Sequence, residues 1–327
     1  MMHKIKTAES VAIGHPDKVC DQISDAILDA CLKVDQNSRV AIETMGGHGC
    51  VHIMGEITSH ANPNYALIAK KVYKDCGYKD KVKVFVNVVK QSPQIKAGVD
   101  VGGAGDQGIM IGYACDETKE MIPLEVLMSR QLIKAMGACD GKSQVTLNGK
   151  KIEKIITSVC GEKYPKKLIN LLAKWGIKDG DKRWLKNPAG KWTFGGFKAD
   201  TGLTGRKLIV DNYGPNISIG GGSFSGKDAT KVDRSAAYMA RKVAVDLLKK
   251  YKAQKVFVKL AYAIGVAKPV MATAELYFKN KPTKFISHIE GYDLTPAGII
   301  KYLDLQKPIF RETAKYGHFG NGFKWDI

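Results

Sequence analysis

The second half of this 327-residue sequence contains no cysteine: the seven lie at Cys20, Cys31, Cys50, Cys76, Cys115, Cys139 and Cys160. Their odd number and wide spacing argue for reduced thiols and against a disulfide framework or a zinc site. No window approaches the roughly 18 consecutive apolar residues of a membrane span. The start, Met1 to Glu9, lacks the apolar core of a signal peptide, so a cytoplasmic protein is expected, with no membrane partner. Acid is also scarce, with 32 Asp and Glu against 51 Lys and Arg, a formal charge of +19. The excess is mostly lysine spread along the chain, as at Lys70-Lys71, Lys166-Lys167 and Lys249-Lys250. Solvated lysines explain that spread better than a nucleic-acid groove, and no RNA- or DNA-binding module is recognisable. A small acidic substrate such as a nucleotide gains from the same field.

Glycine, by contrast, is plentiful, and one run stands out: Gly220-Gly221-Gly222-Ser223-Phe224-Ser225-Gly226-Lys227-Asp228. Gly221 to Lys227 has the spacing G-x-x-x-x-G-K of a P-loop, but Asp228 occupies the place of the Mg²⁺-binding Ser or Thr. No buried-strand run leads into it. Phosphate contact on another fold is therefore expected, with Lys227 and Lys231 sharing a face if the following helix begins at Lys227.

Upstream, Gly14-His15-Pro16-Asp17-Lys18 opens a helix whose apolar face is Val19, Ile23, Ala26, Ile27 and Ala30. Arg39–Thr44 and Val51–Thr58 read as a hairpin about Gly46 to Gly49, each strand carrying one carboxylate, Glu43 and Glu56. A helix over Asn64–Tyr78 and a strand over Val82–Val89 follow. Glycines recur from Gly98 to Gly108, as in a lid or a linker. After a strand at Ile109–Ala114 and a helix at Pro123–Met136, Asn148-Gly149 marks a second hairpin, and Lys166–Trp175 is a short helix. A long helix at Thr230–Tyr251 precedes a third strand pair, Lys255–Ala267 and Val270–Phe278. Strand pairs about every hundred residues suggest three related α+β units.

Five pieces resemble, in order, the S-adenosylmethionine synthetases (methionine adenosyltransferases). They are Gly14 to Lys18, Gly103 to Gly108, Asp200 to Lys207 with Ile209-Val210-Asp211, Gly220 to Asp228 with Lys231 to Ser235, and Tyr316 to Gly320. The resemblance implies an α+β fold of three structurally similar repeated domains, each a β-sheet packed with helices, in a pseudo-threefold arrangement. The segments are 1–97, a gating loop and linker at 98–112, a central 113–193 and a C-terminal 194–327. It implies synthesis of S-adenosylmethionine from ATP and L-methionine, the sulfur attacking C5′ of ATP and the tripolyphosphate then hydrolysed to diphosphate and phosphate. The rivals are a phosphate-loop enzyme hydrolysing ATP or polyphosphate, and a basic nucleic-acid-binding protein.

By the same resemblance His15, Lys142, Arg206, Lys207 and Lys227 are catalytic. ATP is contacted by these and by Asp140, Lys191, Trp192, Asp200 and Ser223. Glu56, Gln91, Asp106, Asp200, Lys231 and Ile264 contact methionine. Asp17 and Asp233 are expected to hold two Mg²⁺ ions and Glu43 a K⁺. The expected assembly is a homodimer with active sites between subunits, or a tetramer. The chain departs from the family in a shorter segment from Gln91 to Gly108, in Lys191-Trp192 where Arg-Phe is common, in a compressed 161–184 region, and in ending soon after Gly320.

Overall fold

In the computed structural model, residues 5–91 and 102–327 are described. The first repeat runs β1 (Ile5–Val11), α1 (Pro16–Leu32), β2 (Arg39–Gly47), β3 (Cys50–Thr58), α2 (Tyr65–Asp75), β4 (Lys83–Val89). The second runs β5 (Gly108–Cys115), α3 (Leu124–Met136), β6 (Gly141–Asn148), β7 (Lys151–Val159), α4 (Lys166–Lys174), β8 (Trp184–Lys186). The third has β9 (Gly202–Leu203), the one-turn α5 (Leu208–Asp211), α6 (Val232–Tyr251), β10 (Lys255–Tyr262), β11 (Met271–Tyr277), β12 (Lys284–Ile286), α7 (Pro296–Leu303) and α8 (Phe310–Thr313).

These strands form three four-stranded sheets in the orders β1-β6-β7-β8, β9-β2-β3-β4 and β5-β10-β11-β12. Each repeat lends its first strand to the sheet of the next, and the third lends β9 back to the first. Helices cover the sheets, α1 on β2, α3 on β1 and β6, and α6 on β5 and β10. The expected α+β class of repeated sheet-and-helix units holds, and the cyclic exchange ties the units together. The third repeat departs from the pattern, since β12 is antiparallel to β11 whereas β4 and β8 run parallel to their neighbours after a helical crossover.

Local turn chemistry shifts several expected boundaries. Strand β2 continues through Gly47, so the first hairpin turns on His48-Gly49, both at positive φ. In the second, Asn148 still pairs with Lys151, and the turn is Gly149-Lys150. Strand β10 stops at Tyr262, well short of Ala267.

Helix α1 is buried almost all round. Its apolar side joins a core shared by the first and third repeats, with Val19, Ile23, Val40, Ile53, Val243 and Val258 fully enclosed. A second core fills the central unit around Leu132, Val145 and Leu172. The other side of α1 carries Asp17, Asp21, Asp25 and Asp29, four apart and hence stacked in one stripe. Each accepts a main-chain N–H from outside the helix, from three segments in all: Leu203 (2.9 Å) and Gly205 (2.9 Å), then Gly226 (2.8 Å), then Phe310 (2.9 Å). This stripe fastens the loops that carry the expected phosphate-binding residues to α1.

Candidate active site

Pro16, fixed in φ, starts α1, and His15 caps it. The His15 Nδ1 accepts from the Asp17 amide at 3.2 Å, which leaves the ring proton on Nε2, free to donate. Burial, then the nearby ammonium of Lys207 and, more weakly, that of Lys142, push the His15 pKa down to about 3, against the pull of Asp17. The imidazole is therefore neutral at neutral pH. Burial works to raise the Asp17 carboxyl, but the hydrogen bonds from Lys207 and the Leu203 amide outweigh it and hold the group below the usual carboxylate range. Lys207 Nζ donates to Asp17 Oδ2 at 2.5 Å, and the exposed Arg206 Nε lies 3.5 Å from Oδ1. Here a helix N-terminus, two cations and a neutral hydrogen-bond donor converge.

A second cluster lies at the start of α6. Lys227 Nζ donates to Asp233 Oδ2 at 2.5 Å, and Lys231 donates to Asp228. Asp228 is buried and also accepts from the amides of Val40 (2.7 Å) and Thr230 (2.9 Å). The helix thus begins at Val232 with Lys231 at its cap, and Lys227 and Lys231 do not share a helical face. The competing turn at Asp228–Thr230 is the physical reason. Glycine in the preceding loop serves close approach: a Cβ at Gly222 would lie 2.4 Å from Asp233 Oδ1, and one at Gly226 1.9 Å from the Ile42 carbonyl oxygen. The loop is pressed onto β2, where Lys227 bridges to Ala41.

The two clusters touch. A Cβ at Gly205 would lie 2.5 Å from Ser223 Oγ, so the Arg206–Lys207 loop packs on the glycine loop. Ser223 Oγ and Asp140 Oδ1 are buried with no hydrogen-bond partner among the described residues. Asp140 Oδ2 accepts from the Gly196 amide at 2.9 Å. Burial pushes the Asp140 pKa up to about 6. Asp200 is exposed, its Oδ1 accepting from the Thr201 amide. Lys191 is exposed and Trp192 half-buried; the Trp192 carbonyl accepts from the Gly161 amide, and its ring has no stacking partner among the described residues.

The remaining expected positions lie further out. Glu43 and Met54 are cross-strand partners, and Glu56 sits opposite Ala41 on one side and Val89 on the other. Glu56 is therefore in the same row across the sheet as Lys227. Partial burial raises the Glu43 pKa, with Lys227 opposing it. Asp106 and the exposed Ile264 are brought together by a bridge between Ala104 and Ile264. Gln91 follows the end of β4; residues 92–101, which include the start of the gating loop and linker expected at 98–112, lie outside the described residues, and the remainder of that segment leads into β5. Among the described residues no hydrogen bond joins Gln91, Asp106 or Ile264 to the two clusters.

The description "S-adenosylmethionine synthetase" matches the chain in three parts: its N-terminal domain at residues 3–97, its central domain at 101–174 and its C-terminal domain at 194–327. The chain belongs to the S-adenosylmethionine synthetase family. A relative from Mycoplasma mycoides subsp. mycoides SC, named S-adenosylmethionine synthase, is 42% identical over 97% of this chain and 92% of its own length. Similar proteins of the same name come from Mycoplasmopsis synoviae, 42% identical over 99% of this chain and 95% of the relative, and Mesoplasma florum, 42% identical over 99% and 97%. The first match spans 358 aligned positions, more than the 327 residues of this chain, so these synthetases carry segments that it lacks.

The family motifs contain Lys18 and Asp211 without giving them a role, and leave out Asp21; in the fold these three anchor the site from beneath. Lys18 is buried and donates to Asp21 (3.0 Å) and Asp211 (2.7 Å), tying α5 to α1 just after Lys207. Burial opposes its charge, but the two carboxylates prevail and its pKa is raised. The i, i+4 spacing of the α1 aspartates was the signal that could have found Asp21.

Proposed function

We propose that the chain makes S-adenosylmethionine from ATP and L-methionine. The thioether has its own lone pair and needs no general base, so the difficulty lies in the tripolyphosphate that departs from C5′, whose charge grows as the bond breaks. Preorganised cations stabilise that charge more in the transition state than in the ground state. The observation that carries the reading is the pair of lysine–aspartate contacts, Lys207–Asp17 and Lys227–Asp233. Each joins an expected phosphate cation to an expected metal carboxylate. On binding, the triphosphate takes the lysines and frees the aspartates.

Mg²⁺ needs only one or two carboxylates when phosphates and water complete its shell. Among the described residues there is no group of three potential ligands, and the isolated Asp17 and Asp233 fit that sparse mode. When bound, the two ions would neutralise charge on the phosphates. Glu43 would hold K⁺. His15, neutral and with its proton on Nε2, donates to the departing oxygen. Lys142, beside it, and Arg206 hold the phosphate chain through cleavage. Ser223 Oγ and Asp140 Oδ1, which have no partner among the described residues, are suited to contact ATP, with Trp192 and Lys191 beside the base and Asp200 between the substrates. Glu56, Gln91, Asp106, Lys231 and Ile264 bind methionine.

The active unit on this reading is a cytoplasmic homodimer. The sheet face bearing Glu43 also exposes Met45, Met54, Val89 and Leu203, at 50%, 54%, 55% and 37%, an apolar surface suited to a second copy. The chain segments 1–97, 113–193 and 194–327 act as its three domains, with 98–112 as gate and linker. The test is incubation with ATP, methionine, Mg²⁺ and K⁺ followed by mass analysis. A sulfonium product with diphosphate and phosphate is expected; ATP hydrolysis without methionine and without sulfonium would refute the proposal.

A further inference from the structure

Behind Lys227 lies a buried ion pair that the reaction as described does not use. Asp25, from the α1 stripe, and Arg234, from the first turn of α6, are both fully buried. Their contact is two-pronged, Nη1 to Oδ1 at 2.6 Å and Nη2 to Oδ2 at 2.8 Å. The same pair grips the glycine loop at both ends of the Gly226–Lys227 dipeptide. Asp25 Oδ1 accepts from the Gly226 amide at 2.8 Å, and Arg234 Nη1 donates to the Lys227 carbonyl at 3.0 Å.

The remaining donors of Arg234 are also engaged. Nε donates to Tyr238 Oη at 3.1 Å and Nη2 to Thr313 Oγ1 at 3.1 Å, while the guanidinium lies 4.3 Å from the Phe310 ring centroid. All five N–H groups of the fork therefore have acceptors, which a lysine with three donors on one atom cannot reproduce. Tyr238 Oη in turn meets His318 Nδ1 at 2.7 Å, and the His318 ring packs edge-on against Phe224 of the loop. The loop is thus held through its main chain by Asp25–Arg234 and through Phe224 by His318.

A buried ion pair is a weak source of net stability, since an apolar pair of similar volume is often as stable. Its distinctive contribution here is the fixed position of the Gly226–Lys227 backbone. We infer that Asp25 and Arg234 are positioning residues for the reaction: the pair holds the main chain of Lys227 so that its ammonium lies where the leaving triphosphate develops charge. This inference rests on the reading of Lys227 given under the proposed function.

The test is a double-mutant cycle on the full-length protein. One corner replaces the whole pair by apolar residues, Asp25→Leu with Arg234→Met, which leaves no buried unpaired charge. Another is Lys227→Ala, and the third combines them. Positioning predicts that kcat of the apolar pair variant falls at least about tenfold with the KM for methionine changed less than threefold, and that adding Lys227→Ala then costs under threefold more. Losses that multiply independently, or full kcat in the apolar variant, would overturn the inference. Should that variant not fold, Arg234→Lys replaces it in the same cycle. If Lys227→Ala alone leaves kcat unchanged, the reading of Lys227 fails instead.

Discussion

The second residue of the main helix is acidic in every repeat, Asp17 in α1, Glu125 in α3 and Asp233 in α6, yet the three carboxylates live differently. Asp17, its side chain 2% exposed, takes Lys207, the Leu203 amide and the approach of Arg206. Asp233, 16% exposed, takes Lys227 alone among the described residues. Among the described residues Glu125 meets only Asn216, at 3.2 Å, the nearby Lys6 being engaged by Glu117. Burial raises its pKa. The helix N-terminus favours an anion at each place. Among the described residues only the α1 and α6 carboxylates receive a lysine, Lys207 from a loop 190 residues along the chain and Lys227 from the glycine loop just ahead of α6.

Breaking the more enclosed end is expected to cost most. Lys207→Ala leaves Asp17 buried with no ammonium, and turnover should fall about 100-fold or more, roughly 2.7 kcal/mol of transition-state stabilisation; steady-state kinetics checks this. At the more open end Lys227→Ala should cost at least about tenfold, roughly 1.4 kcal/mol. A larger loss there than at Lys207 would reverse the ranking drawn from burial.

Next in size is a pH effect confined to the α1 end. The folded His15, with its pKa near 3 against an ordinary 6.5, binds fewer protons than the unfolded chain between those values. The His15 contribution to stability therefore rises with pH in that window and falls as pH drops from 7 to 5. It runs against the opposite contribution of the buried carboxyls of Asp29, Asp140 and Asp211, each pushed up to about 6. His15→Gln should accordingly raise stability at pH 5 relative to pH 7 in denaturant titrations. The His15 ring signals should stay those of the neutral form from pH 8 to 5 by NMR. An acid limb near pH 6 in the rate profile is expected from Asp140, and Asp140→Asn should remove it; a limb that survives would belong to Asp211, which burial also pushes up to about 6. The smallest change is expected at the α3 end, where Glu125→Gln should leave turnover within about twofold and thermal stability equal or higher, because a buried, weakly paired carboxylate is replaced by a neutral amide. A large loss of activity there would place Glu125 in the site after all.

The chemistry-bearing motifs were legible in the sequence because each is local: the capped His15-Pro16-Asp17, the Gly205-Arg206-Lys207 turn and the Gly226-Lys227 loop keep their residue types at fixed short spacing. The pairings were not, since Lys207 and Asp17 lie 190 residues apart and are joined by the exchange of β9 into the first sheet together with the long-range contacts Gly205–Asp21 and Lys18–Asp211. Of the apolar face expected for α1, Val19, Ile23 and Ile27 are buried and Ala26 and Ala30 partly so; the acidic period beside it carries no sign of burial in the sequence, because charged helix faces are usually solvated. Helix α6 starts at Val232 rather than at the expected Thr230, since the side chain of Asp228 offers Thr230 a turn that competes with the first helical hydrogen bond.

The most direct test of a triphosphate held between two helix ends is calorimetric titration of tripolyphosphate with Mg²⁺ into the wild type, Lys207→Ala, Lys227→Ala and the double variant. Each single substitution should weaken binding at least about tenfold, and the double by about the product of the two, as for separate contacts on one ligand. Wild-type affinity in either single variant would contradict the assignment of both ends to one site.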